Sequence, residues 1–218
     1  MKTFTIGHSN HTIESFLELL QKHDITALAD VRSSPYSRRF PQFNQSSLKA
    51  ALKTVNIAYV PLGDNLGARP SDRSCYVDGM ARYDLIATTE AFKVGLNRLI
   101  QGSHKFQLSL MCAEQDPIVC HRAILISPHL KISGLDIYHI LKNGNLESNE
   151  DLENRVLKQH NLYELLPENQ SHVKQLSLFD MQSVPTIEKQ FTRAELVEKA
   201  YQLQAEKVAY TENKDDHE

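Results

Sequence analysis

From Thr3 to Ile140, short apolar runs suited to strands alternate with longer runs that repeat like helices. No other feature of the chain constrains its fold as strongly. Thr3–Ile6, Ile25–Val31, Ile57–Leu62, Phe106–Met111 and Leu135–Ile140 read as strands. Between them, Thr12 caps a helix whose stripe is Ile13, Phe16, Leu17, Leu19 and Leu20. Ser46–Thr54 reads as a second helix, with Leu48, Ala51, Leu52 and Val55 on one face. Tyr83–Ile100 is mostly helical with a break near Thr88–Thr89. Asp116 and Pro117 open one more helix, expected to run to about Leu130.

Strands that alternate with helices favour parallel βαβ units. The expected fold class is therefore α/β, with a parallel-sheet, Rossmann-like three-layer core and a helical C-terminal extension. The core domain is placed at 1–142 and a helical extension at 143–165, with its helix over Glu150–His160. A polar linker is placed at 166–190, and a helix followed by an acidic, disordered tail at 191–218. A chain of 218 residues with 41% apolar residues suits one good core and a polar appendage. A net charge of −3 is too mild to hold nucleic acid by bulk charge. No leader-like opening and no apolar stretch of about 20 residues is seen, so no membrane role is expected. Three cysteines are too few for a disulfide framework, which points to a reducing cytoplasm.

In parallel sheets, ligands sit beyond the carboxyl ends of the strands. Polar and reactive residues gather at those ends here. Gly7, His8, Ser9 and Asn10 follow the first strand, and Asp30, Arg32 and Ser34 the second. Gly63, Asp64, Asn65 and Gly67 follow the third, and Cys112 and Glu114 the fourth. The expected catalytic groups are His8, Asp30, Cys112, Glu114 and His121. Ser9, Arg32, Arg38, Tyr59, Gly63 and Arg122 are expected to bind substrate or phosphate. In the loop Ser33–Pro41, Arg38 and Arg39 can grip phosphate while Tyr36 or Phe40 stacks on a base. The bland alternative is a surface loop with an Asp30–Arg32 contact.

Met111 to Arg122 carries three competing readings. Cys112 is a nucleophile whose thiolate Arg122, His121 and a helix start favour. Or Cys112, Cys120 and His121 bind a divalent metal, although the spacing lacks a C-x₂-C pair. Or the cysteines are small buried apolar groups, with Glu114 and Arg122 as an ion pair. The cofactor is unknown on sequence grounds. A Cys-phosphatase loop is excluded by Ile118, and neither a Walker loop nor a dinucleotide glycine fingerprint is present.

Taken together, Thr5-Ile6-Gly7-His8-Ser9, Asp30-Val31-Arg32 with Pro35 and Ser37-Arg38, Tyr59 with Leu62-Gly63, and Cys112-Ala113-Glu114 with Cys120-His121-Arg122 and His139-Ile140 resemble the family called domain of unknown function 488. The resemblance spans about Thr3 to Leu141. It implies an α/β fold with a site near these motifs, and no reaction. Leu62-Gly63-Asp64 departs from the Leu-Gly-Gly of many members.

Gln175-Leu176-Ser177-Leu178-Phe179 resembles the peptide that bacterial replication and repair proteins insert into the sliding clamp. Leu178 and Phe179 suit an apolar pocket, Leu176 adds contact and Gln175 suits its rim. The competing reading docks these alternating residues onto the core. The expected function is a hydrolytic enzyme acting on DNA or a nucleotide and recruited through the clamp. The alternatives are a non-catalytic nucleic-acid or clamp adaptor, and a metal-binding or redox cytoplasmic protein.

Overall fold

A computed structural model describes residues 1–170 and 191–212. Its strands are β1 (Lys2–Gly7), β2 (Ala27–Asp30), β3 (Ala58–Pro61), β4 (Tyr76–Val77), β5 (Met80–Ala81), β6 (Leu108–Cys112), β7 (Asp136–Ile140) and β8 (Leu146–Ser148). Its α-helices are α1 (Ile13–Lys22), α2 (Gln45–Thr54), α3 (Gly63–Leu66), α4 (Tyr83–Thr88), α5 (Glu90–Ser103), α6 (Ser127–Ile132), α7 (Asn149–Gln159), α8 (Pro167–Gln170) and α9 (Arg193–Val208). The protein is an α/β fold with a mixed, mostly parallel central sheet and helical extensions.

The main sheet runs β3-β2-β6-β1-β7-β8. All its neighbours are parallel except β8, which returns antiparallel to β7 and was not expected from sequence. The chain leaves β1 toward β2 and β3, then returns to insert β6 beside β1 before crossing to β7. This reversal of direction lies at β1 and β6, where open α/β sheets place their crevice.

Strand alternation sorts side chains onto two apolar clusters. Ala27, Ala29 and Val31 join Leu108, Leu110 and Cys112 under α4, α5, α6, α7 and α9. Phe4, Ile6, Leu28 and Met111 join Phe16, Leu20, Leu48 and Leu52 of α1 and α2. The Thr12 hydroxyl accepts from the Ser15 N–H as the expected cap, and the break before Thr89 falls where expected.

The single helix expected over 117–130 is corrected. Asp116 does cap a turn, through the Ile118 N–H, but Pro117–Val119 is only a 3₁₀ turn. Cys120 is extended (φ −129°, ψ 137°), Arg122–Ile126 is a π-helix, and α6 follows. Arg122, the first residue of the π-helix, is turned inward to Thr5 Oγ1 and the carbonyls of Glu114 and Gln115, contacts that compete with a regular helix through this segment.

Candidate functional site

Two hydrogen bonds extend the β1–β6 ladder past the strand ends. His8 N donates to Cys112 O (2.9 Å) and Ser9 N to Ala113 O (2.9 Å). Gly7 is required just before them, because a Cβ there would lie 1.8 Å from Glu114 O. Arg122, with 0% exposure, holds the following turn from beneath. Its Nη1 donates to Glu114 O (2.7 Å), its Nη2 to Gln115 O (3.1 Å) and its Nε to Thr5 Oγ1 (3.3 Å). Thr5 Oγ1 lies in turn 2.8 Å from His139 Nδ1. Arg122 therefore meets the Glu114 carbonyl rather than forming the ion pair considered from sequence.

The Glu114 carboxylate points elsewhere, to Cys120. The Cys120 Sγ to Glu114 Oε2 distance is 2.9 Å. Cys112 and Cys120 place their sulfurs 3.6 and 3.9 Å from His121 Nδ1. These three ligand atoms all lie within 4.8 Å of one another, on buried side chains. His121 Nε2 lies 3.0 Å from Val31 O, and a carbonyl can only accept. The proton is thus fixed on Nε2, and Nδ1 faces the two thiols.

Charge is distributed unequally between the sulfurs. The hydrogen bond to Cys120 and then burial push the Cys112 thiol well above its ordinary value. Burial opposes ionisation of Cys120, but the Cys112 bond and the Arg122 charge outweigh it and bring that thiol well below. Burial, then Cys120, raises Glu114. At 2.9 Å two anions would repel strongly, so Cys120 and Glu114 share one proton. Burial pulls His121 down, yet its bond to Cys120 leaves it raised. Tyr83, buried at the start of α4, also senses these groups: burial, then Cys120 and Cys112, pushes its phenol up. No sequence motif singled it out.

A second cluster occupies the other face of the same rim. Asp30 Oδ1 accepts from Arg32 N (3.2 Å) and Nε (2.9 Å), and Oδ2 from Arg32 Nη2 (2.6 Å) and Tyr59 Oη (2.9 Å). Arg32 Nη2 also donates to Phe43 O (2.8 Å). Asp30 and Arg32 are only 1% and 6% exposed. His8 stacks on Phe43 with ring centroids 4.4 Å apart, and its Nδ1 lies 3.0 Å from Ser9 O. Burial, then Arg32, lowers His8 to about 4. Gly63 admits this loop as Gly7 admits the other, since a Cβ would lie 2.0 Å from Arg32 O.

The sequence-predicted residues thus share one sheet edge but divide across it. His8, Asp30, Arg32 and Tyr59 gather on the α1–α2 side. Cys112, Glu114, Cys120, His121 and Arg122 gather on the other, and the His121–Val31 contact bridges the two. Ser9 lies at the rim, with its hydroxyl 3.4 Å from Gln115 Oε1. Arg38 and Tyr36 are exposed on the loop outside. Thr5 was quoted only within the family motif and given no role, and the partners Phe43 and the Val31 carbonyl were not singled out from sequence, the last because a backbone oxygen has no residue signature. Gln175, Leu176, Leu178 and Phe179 lie outside the described residues. Among the described residues, no helix is long and apolar enough to cross a membrane.

The model of a protein family described as "Domain of unknown function DUF488" matches residues 12–127, more than half of the chain. No curated protein and no solved structure matches it.

Proposed function

We propose, from the premise that this chain belongs to the DUF488 family, that it is a metal-dependent protein whose centre is Cys112, Cys120 and His121. One observation carries the reading: three buried, dissimilar ligand atoms converge within 4.8 Å. A tetrahedral ion with sulfur at ~2.3 Å and nitrogen at ~2.0–2.1 Å sets its sulfur–nitrogen edges at about 3.6 Å. The two edges here are 3.6 and 3.9 Å. The Val31 carbonyl supports the assignment, because ligand histidines commonly anchor their other N–H in this way. Two soft thiolates favour zinc over magnesium or calcium. Glu114, at the exposed side, either fills the fourth position or moves protons beside it. Two thiolates and Glu114 would face a divalent ion and Arg122, which balances the formal charge.

Such a centre supports metal-assisted hydrolysis. A nucleotide-like substrate is favoured by the exposed Tyr36, Arg38 and Arg39 beside the rim. We extend the α/β assignment to a Rossmann-like three-layer core, supported by apolar clusters on both faces of β2 and β6. Three free, buried cysteines favour a reducing compartment such as the cytoplasm.

The test is zinc titration of chelator-treated full-length protein, with metal content read by elemental analysis. About one zinc per chain is expected, with Cys120→Ser weakening binding by roughly 100-fold or more. Failure of the wild-type protein to retain zinc would overturn the reading.

A second reading rests on the pentapeptide Gln175–Phe179, which favours recruitment to DNA by the sliding clamp whatever the core does. Pull-down with the clamp should recover wild type and lose Phe179→Ala. Equal recovery discards it.

A further inference from the structure

The same two sulfurs are placed for a reaction that needs no metal. We propose that Cys112 and Cys120 form a dithiol that hydroperoxides oxidise to an intramolecular disulfide, and that this disulfide and the bound ion exclude each other. The exclusion rests on the metal reading above; the disulfide does not.

The geometry is specific to this pair. Both sulfurs flank His121 Nδ1 and lie within 4.8 Å of each other. A disulfide needs ~2.05 Å, so closing the gap requires side-chain rotation rather than movement of distant elements. Cys120 is the partner whose side chain rotates: it stands in extended backbone between a 3₁₀ turn and a π-helix, with its N–H and C=O held by Pro117, Ala123 and Ile124, so the sulfur moves about Cα–Cβ while the backbone stays. Cys112 ends a central strand and stays in place. Cys120 is fully buried, but its neighbour at 2.9 Å is Glu114, whose carboxylate is partly buried on a residue that reaches solvent, so a swing of that one side chain admits a small oxidant. Burial also keeps each sulfur away from other chains, which favours pairing within the molecule.

Glu114 completes the proton balance. Cys120 passes its proton to the Glu114 carboxylate, and the thiolate attacks one oxygen of hydrogen peroxide. The S–O bond forms, the O–O bond breaks, and the departing hydroxide takes the proton from Glu114 to leave as water. The Cys112 sulfur then attacks the Cys120 sulfenic acid. The S–S bond forms and the S–O bond breaks, and the hydroxide leaves with the Cys112 proton as a second water. Two thiols lose two electrons and two protons, and one peroxide becomes two waters. With both sulfurs joined, two of the three ligands, and both soft ones, are gone.

Cys75 provides an internal control. It is buried and free, yet belongs to neither the thiol cluster nor the rim.

The experiment treats chelator-stripped full-length protein with hydrogen peroxide and reads intact mass and disulfide-linked peptides. The expected result is a loss of about 2 Da per chain, with Cys112 linked to Cys120 and Cys75 still open to alkylation after unfolding. Cys112→Ser should instead stop at a sulfenic acid on Cys120, trapped by dimedone. Zinc-loaded protein should react at least about tenfold more slowly. Linkage through Cys75, or no 112–120 linkage while Cys120 oxidises further, overturns the proposal. If zinc fails to bind but the 112–120 disulfide forms, the metal reading falls and the dithiol stands. If zinc binds and no disulfide forms, the dithiol falls and the metal reading stands.

Discussion

The two clusters at the sheet rim are built from opposite logics. In the Asp30 cluster, four donors saturate one carboxylate and the guanidinium also reaches a backbone carbonyl. Charge is cancelled where it stands, and little bonding capacity remains. In the Cys112–Cys120 cluster, two sulfurs, an imidazole nitrogen and a carboxylate crowd together with more lone pairs than protons to bridge them. One cluster holds the loop after β2 in place; the other, resting on Arg122 and Val31, has capacity left to bind or react. A buried charge pair is thus weak evidence of chemistry, and a surplus of acceptors is stronger evidence.

Asp30→Asn should give the largest effect that tests this division. It leaves Arg32 as a buried, uncompensated cation, a loss of roughly 3–5 kcal/mol of stability. Urea unfolding reads that loss, while zinc stoichiometry at low temperature should stay unchanged. Loss of zinc binding from a folded Asp30→Asn protein would merge the two clusters into one site.

Acid should act next, and through His8. The ordinary histidine value is 6.5, and burial with Arg32 holds His8 at about 4. Below pH 6.5 the unfolded chain takes up a proton that the folded one refuses. Stability therefore falls as pH drops from 6.5 to about 4 and then levels off for this group. The interval corresponds to on the order of 3 kcal/mol. His139, held at about 3 by burial and then Arg122, acts in the same direction to lower pH. Urea curves at pH 7 and pH 4 for wild type and His8→Gln isolate the His8 part. Equal losses in both proteins would show that His8 accepts a proton in the folded state.

Tyr59→Phe is the mildest probe. It removes one of the four bonds to Asp30, so a loss of about 1 kcal/mol is expected, with peroxide reactivity of the cysteines untouched. A change in that reactivity would reveal coupling across the sheet.

The sequence placed the polar and reactive residues at the strand ends but not on one face of the sheet or the other. Five strands and most helices were legible because apolar periodicity is a direct imprint of burial. The strand β8 escaped notice because three residues, Leu146-Glu147-Ser148, carry almost no periodicity. The π-helix escaped because its cause is nonlocal: Thr5 and the carbonyls of Glu114 and Gln115 draw Arg122 inward. Arg32 was expected to bind substrate or phosphate beside a catalytic Asp30, with a contact between the two as the alternative; the bidentate pair is present, and sequence cannot tell a guanidinium open to a ligand from one already bound to its neighbour. The Cys–His convergence needed the turn between β6 and Cys120, whose path is set by Gly7 from outside the motif and by the inward reach of Arg122 at its end.

The wide turn at Arg122–Ile126 behaves as a spacer inserted into a spiral. Deleting one residue there would let an ordinary helix run through to Ile132, but would swing everything before it by about 100° around the axis. Cys120 and His121 would then aim away from Cys112 with every side chain of the cluster still encoded. The convergence of these side chains is set by backbone length, and a shift of one residue would undo it without changing any of them.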